Sequence, residues 1–295
     1  MIRIFSLILI LGCGLSMAQE AQEDELRKDL ERTYEFWRKS ILERNDLNWR
    51  KATAAHRQVA VKNLILSEKR KYPASIFDLP APPPPLNGLT HLATLRKGPT
   101  AKSYYYGKID FGLGGEPDNL MVLSYVGAAG TWKFDQVEYI NLAALPEIRD
   151  QLMAGDIQYI KNTPELLPSG EVPPVPVEIK EPAFIAKVYA YCPTREVKVQ
   201  VNQTSRHTFT STKAAELVIG GVNDGRNEIQ YTITPLEDED PLDPLTIRVY
   251  LFSQVQGVKP VKIFEHLVPK GEKPQAFGKG EFVVTKEIRD KLLGR

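Results

Sequence analysis

The chain has 295 residues, 38 basic and 37 acidic side chains, a formal charge of +1 and an apolar share of 42%. So even a balance argues against nucleic acid or an anionic membrane surface as the main partner, because both demand a basic excess. Two cysteines cannot build a disulfide scaffold, and the length points to two domains.

Residues 1–18 read as an export leader. Arg3 supplies the positive charge, Ile4 to Leu11 is an apolar run broken only by Ser6, and Ser16-Met17-Ala18 offers small residues for cleavage after Ala18. The run is shorter than the roughly 20 apolar residues of a permanent span, and no later stretch approaches that length, so no transmembrane segment is expected. Ile10-Leu11-Gly12-Cys13 also looks like a bacterial lipobox, which leaves lipidation at Cys13 as the alternative to simple secretion. The expected location is periplasmic or extracellular, or lipid-anchored at the membrane. Cleavage leaves 37 charges of each sign and one cysteine, Cys192, so no internal disulfide can form.

From residue 24 the pattern is helical. Leu26, Leu30, Tyr34, Trp37 and Ile41 share one helix face. Asn45-Asp46 offers an N-cap for a second helix near Leu47, and Val59, Leu64 and Leu66 carry the helical segment to Tyr72-Pro73. Pro82 to Pro85 then form a stiff polyproline crossing.

Beyond residue 88 the period changes to that of strands. Thr90 to Leu95, Ala101 to Phe111, Leu120 to Val126 and Thr131 to Asn141 read as an antiparallel meander with glycine-bearing turns between them. Gly112 to Gly115 is expected to be a hairpin turn and not a phosphate loop, since Glu116-Pro117-Asp118 puts acids where phosphate would sit. Helices followed by such a meander give an α+β layer with one core.

The meander ends in GTWKFDQVEYI, and Gly130, Trp132, Lys133, Phe134 and Asp135 follow a G-x-W-K-hydrophobic-D pattern. On those residues the N-terminal half resembles the NTF2-like (cystatin-like) α+β cone, over residues 24 to 145. The resemblance implies a pocket between sheet and helices, for which Tyr104, Tyr106 and Trp132 are the candidate ligand-binding residues. Such a pocket would admit a small-molecule hydrolase or isomerase as the alternative function.

Leu145 to Lys161 reads as a short helix pair broken at Gly155-Asp156, and prolines from Pro164 to Pro182 mark an extended linker. The expected order is a signal peptide at 1–18, an α+β domain at 19–165, a linker at 166–182, a β-sandwich at 183–285 and a terminal helix at 286–295. Eight candidate strands fall in the sandwich: Ile185 to Tyr191, Glu196 to Asn202, His207 to Ser211, Ala215 to Ile219, Asn227 to Thr234, Leu245 to Ser253, Pro260 to Leu267 and Glu281 to Thr285. Their regular turns resemble an immunoglobulin-like or C2-like sandwich.

Chemistry is sparse. His56, His91, His207 and His266 lie far apart, none with a ligand-like partner at helical or hairpin spacing. No G-x-S-x-G, H-E-x-x-H, Walker loop or C-x-x-C occurs, so no cofactor is expected. Cys192 reads as an inert, half-buried thiol. Asp238, Asp240 and Asp243, in the densest acidic run, are the one calcium candidate; a solvated hairpin tip is the competing reading. The sequence therefore leads to an exported, non-catalytic two-module protein that binds a protein or glycan at the cell envelope.

Overall fold

The computed structural model describes residues 5–111, 115, 117–236 and 242–295, with side chains from residue 21 onward. The start of the leader, the Cys13 side chain, most of the Gly112 to Glu116 turn, and Asp238 and Asp240 lie outside the described residues. A small helical part is followed by antiparallel sheets, and the chain divides into two compact units. One comprises 1–58 and 76–176; the other comprises 59–75 and 177–295. Among the described residues, no helix is long and apolar enough to cross a membrane.

In the first unit, α1 (Phe5–Leu42) buries Leu30, Tyr34, Trp37 and Ile41, the stripe set by their spacing. The Asn45 side chain accepts the Asn48 N–H at 3.0 Å and caps α2 (Asp46–Ala52). Then α3 (Ala55–Ser67) begins. The sheet is a meander in the order β1 (Thr90–Lys97), β2 (Thr100–Lys108), β3 (Asp118–Ala128), β4 (Thr131–Asn141). Residues 120–126 of β3 are all buried, which fits a run apolar but for Ser124 in a strand covered on both faces.

One cover is α1. Trp37 lies on Phe134 with ring centroids 4.1 Å apart, and Tyr34 and Tyr125 close around the same ring. The other cover is the tail, α4 (Pro146–Met153) and α5 (Gln158–Asn162), whose Leu152 and Ile160 pack with Leu142 and Leu166 against Tyr104, Leu120 and Val122. The helix pair is thus a second layer on the sheet. The polyproline segment lies along α1. Prolines lack an N–H, so only their carbonyls need partners; Tyr34 Oη donates to Pro84 O at 2.7 Å and Arg38 Nε to Pro83 O at 2.8 Å.

Among its described residues the second unit holds six strands: β5 (Ile185–Val201), β6 (Ser205–Leu217), β7 (Gly225–Pro235), β8 (Leu245–Phe252), β9 (Val261–Val268) and β10 (Phe277–Val284). Four expected strands prove to be two long ones. The breaks expected near Pro193 and Ser211 are bends: the β5–β6 register slips between Cys192 and Glu196, Pro193 cannot donate to a ladder, and Ser211 takes a left-handed φ of 43°. The Ser211 hydroxyl donates to the Pro193 carbonyl across the bend.

As a result β5 serves two half-sheets. Its first part, Ile185 to Tyr191, pairs with β8, and β8 with β9. Its second part, Arg195 to Val201, pairs with β7, and β7 with β10. The halves share one core that includes Val188, Val199, Phe209, Ile229, Ile247 and Phe282, and the fold is sandwich-like and close to a barrel. Phe264 of β9 lies over Gly280 of β10, where an added Cβ would stand 2.8 Å from its ring.

Residues 59–67 of α3 belong to this unit. Asn63 Nδ2 donates to Val177 O at 2.8 Å while its Oδ1 accepts the Ile179 N–H at 3.1 Å, and Ser67 Oγ accepts the Gly220 N–H at 2.8 Å. The neighbouring Gly221 has φ of 54° and a carbonyl 2.4 Å from where a Cβ would be, so only glycine fits. The chain ends in α6 (Lys286–Leu292), capped by Thr285.

Phe134→Ala is expected to lower stability by about 3–5 kcal/mol through the cavity it opens beneath Trp37, read as a drop in the urea-unfolding midpoint.

Candidate functional site

The three pocket candidates do not come together. Tyr104 is fully buried on the tail side of the sheet, and its hydroxyl donates to Leu166 O. Tyr106 shares that face and packs, half-buried, against the same cluster. The space on the α1 side is occupied by Trp37, Tyr34, Phe134 and Tyr125, so the GTWKF strand closes a core there.

Trp132 alone faces open space. It lines a cleft of about 620 Å³ whose other walls are Arg32 and Phe36 of α1, Lys51 of α2 and the start of β4. Phe36, off the buried stripe of α1, is 41% exposed. The Arg96 guanidinium stands 5.4 Å from the centre of the Trp132 ring. Lys133 Nζ donates to Lys51 O at 2.7 Å, which ties β4 to α2. Asp29, the cleft's one acid, is ion-paired with Arg32. Among the described residues the cleft therefore offers aromatic surface and cations, and no buried carboxylate or imidazole for acid–base work.

Asp135, next in the same motif, is a clamp. Its Oδ1 meets His56 Nε2 at 2.8 Å and accepts from Arg57 Nε at 2.9 Å, fastening the start of α3 to β4.

His207 has two side-chain partners from its own strand β6, though no metal-ligand set. Its Nε2 is 2.8 Å from Ser205 Oγ and its Nδ1 is 2.8 Å from Glu216 Oε2. That is the order of a serine–histidine–carboxylate relay, yet the chemistry is blocked. Ser205 is 1% exposed and its oxygen accepts the Ile219 N–H at 2.8 Å. The Gly220 and Gly221 N–H groups beside it are bonded to Ser67 Oγ and Val218 O, leaving no oxyanion donor among them. The cluster instead pins together the two arms of β6, which its bend brings face to face. The signal in the sequence was the alternation Ser205, His207, Phe209 on one strand face, but Glu216 reaches it only because of the bend.

Cys192 is buried, with Sγ 3.7 Å from the Phe209 and Thr212 carbonyls, and burial pushes its thiol pKa up, as suits an unreactive side chain. Of the calcium candidates, Asp243 uses its backbone carbonyl to accept from buried Arg195 at 2.7 Å. Among the described residues no three His, Cys, Asp or Glu side chains converge as a metal site.

These features define an α+β body with an aromatic and cationic cleft, and a β-rich sandwich-like body. No family profile, curated protein or solved structure matches the chain.

Ser205→Ala is expected to cost about 1–3 kcal/mol, because it strands the Ile219 N–H and one His207 nitrogen, measurable by thermal unfolding. A second expectation concerns pH. Burial lowers the pKa of His266, stacked on Tyr231 at 4.7 Å, and that of His91 below the ordinary 6.5. The unfolded chain then takes up protons first, so this stability is full above about pH 6.5 and is lost as pH falls towards the depressed folded values. The urea midpoint should drop between about pH 7.5 and 5.5, and His266→Phe should flatten that drop.

Proposed function

We propose that the chain is an exported, non-catalytic two-module protein in which an NTF2-like α+β body and an immunoglobulin-like or C2-like sandwich act as binding modules at the cell envelope. The partner is a protein or a glycan, held at the cleft beside Trp132. The observation that carries this reading is the pairing of Trp132 and exposed Phe36 with Arg32 and Lys51 around one open cleft. Flat apolar rings beside charged donors suit recognition of amphipathic groups and give no route to bond cleavage. The leader at residues 1–18 supports export, with Cys13 as the anchor if it is acylated.

The tryptophans supply the test. Trp37 and Trp49 are 8% and 2% exposed, so quenching by a ligand reports Trp132. Titration with envelope oligosaccharides and with purified envelope proteins is expected to quench the wild-type chain. Trp132→Ala, with fold checked by circular dichroism, is expected to weaken retention on the immobilised ligand by about tenfold or more. Equal retention of wild type and variant would overturn the reading.

A further inference from the structure

The outer face of one half-sheet in the second unit carries side chains that the fold itself does not use. Across β6, β5, β7 and β10 the register places Arg206, Gln200, Gln230 and Lys279 in one row. The next row holds Thr208, Lys198, Thr232 and Phe277. Adjacent strands lie about 4.8 Å apart, so each row spans roughly 15 Å. Seven of these eight residues, with Val199, His207 and Tyr231, line a trough of about 300 Å³ that holds Lys198 and Arg206, while Lys279 lines a neighbouring depression with Glu228 and Glu281.

Several basic side chains of this unit are paired, Arg248 with Glu265, Arg226 with Glu281 and Arg289 with Asp224, while others, such as Lys213, Lys259 and Lys273, have no ion pair among the described residues. Arg206 and Lys279 have no ion pair or side-chain hydrogen bond among the described residues, and both are exposed. Lys198 meets Glu196 at 2.8 Å, and the acids Glu228 and Glu281 stand one row away, the latter bound to Arg226. Phe277 projects its ring into solvent at 54% exposure. Two free cations, two glutamine amides and one bare ring thus share a surface that contributes nothing to the core.

We infer that this face is a binding site for an acidic glycan, distinct from the Trp132 cleft. The chemistry separates a glycan from a peptide. Extended peptides add to the edge of a sheet through backbone hydrogen bonds, whereas a face offers side chains only. A glutamine amide both donates and accepts, as a sugar hydroxyl does. Phe277 provides an apolar plane for the C–H face of a pyranose ring. Arg206 and Lys279, at opposite ends of one row, supply charge-assisted bonds to carboxylates along the chain.

The experiment uses the full chain with three probes at low salt: an oligogalacturonate, a neutral dextran oligomer and a poly-glutamate peptide. Calorimetry is expected to find binding to the oligogalacturonate, weakened by added salt, and none to dextran. The double variant Arg206→Gln, Lys279→Gln is expected to lose at least about tenfold in affinity, Phe277→Ala to lose several-fold, and Lys259→Gln, exposed and off this face, to bind as wild type does. These positions are exposed, and an unchanged melting temperature verifies the fold. No heat with oligogalacturonate at millimolar concentration would overturn the inference. So would equal binding of poly-glutamate, which would make the face a peptide or purely electrostatic surface, and so would undiminished binding by the double variant.

Discussion

Two neighbouring strands of a long hairpin can turn a corner only if both give way at the same register. In the second unit, Pro193 and Ser211 meet that condition on facing strands: one cannot donate to the ladder and the other occupies the left-handed region. Two features of the unit follow from this corner. It lets β5 serve two half-sheets with one core between them. It also folds β6 upon itself, so that Ser205 reaches Ile219 and His207 reaches Glu216. An arrangement that would be a catalytic relay in an open cleft becomes a seam, because the corner buries the hydroxyl that would have to react.

The first unit is governed by a different constraint. Its strand β3 is buried along both faces, which demands a cover on each side. The aromatic group on α1 supplies one and the helical tail supplies the other. With both faces spent on packing, the open cleft lies at the rim, where α1, the end of α2 and the β3–β4 hairpin meet around Trp132. The polyproline segment fits the same economy, since it presents only carbonyls and α1 provides donors for two of them.

Elements governed by local rules were legible in the sequence. The α1 stripe, the Asn45 cap, the four-strand meander, the break at Gly155 and the final helix all follow from spacing, capping and turn chemistry within a few residues. Of the residues lining the open cleft, the sequence singled out Trp132 alone. Alternation placed Tyr104 and Tyr106 on one face, but which face receives α1 is decided by the whole layer order. Pro193 marks a break equally well whether a strand ends or bends, so local reading gave two short strands for each long one. The partnership of His207 with Glu216, nine residues on, depends on that geometry and leaves no local sign. The ties from Asn63 to residues 177 and 179 are polar, single and far apart in sequence, beyond the reach of any periodicity.

Those ties have a consequence for how the protein comes into being. The turns of α3 from Val59 onward leave the ribosome more than a hundred residues before the backbone groups that Asn63 and Ser67 bind. The second unit is therefore not a continuous C-terminal piece, and a proteolytic fragment beginning after Pro176 would lack a helical portion of its own body. Tandem modules usually tolerate being separated, shuffled or duplicated by recombination at the linker. This pair is interleaved along the polypeptide, so inheritance and loss of the two halves are bound together.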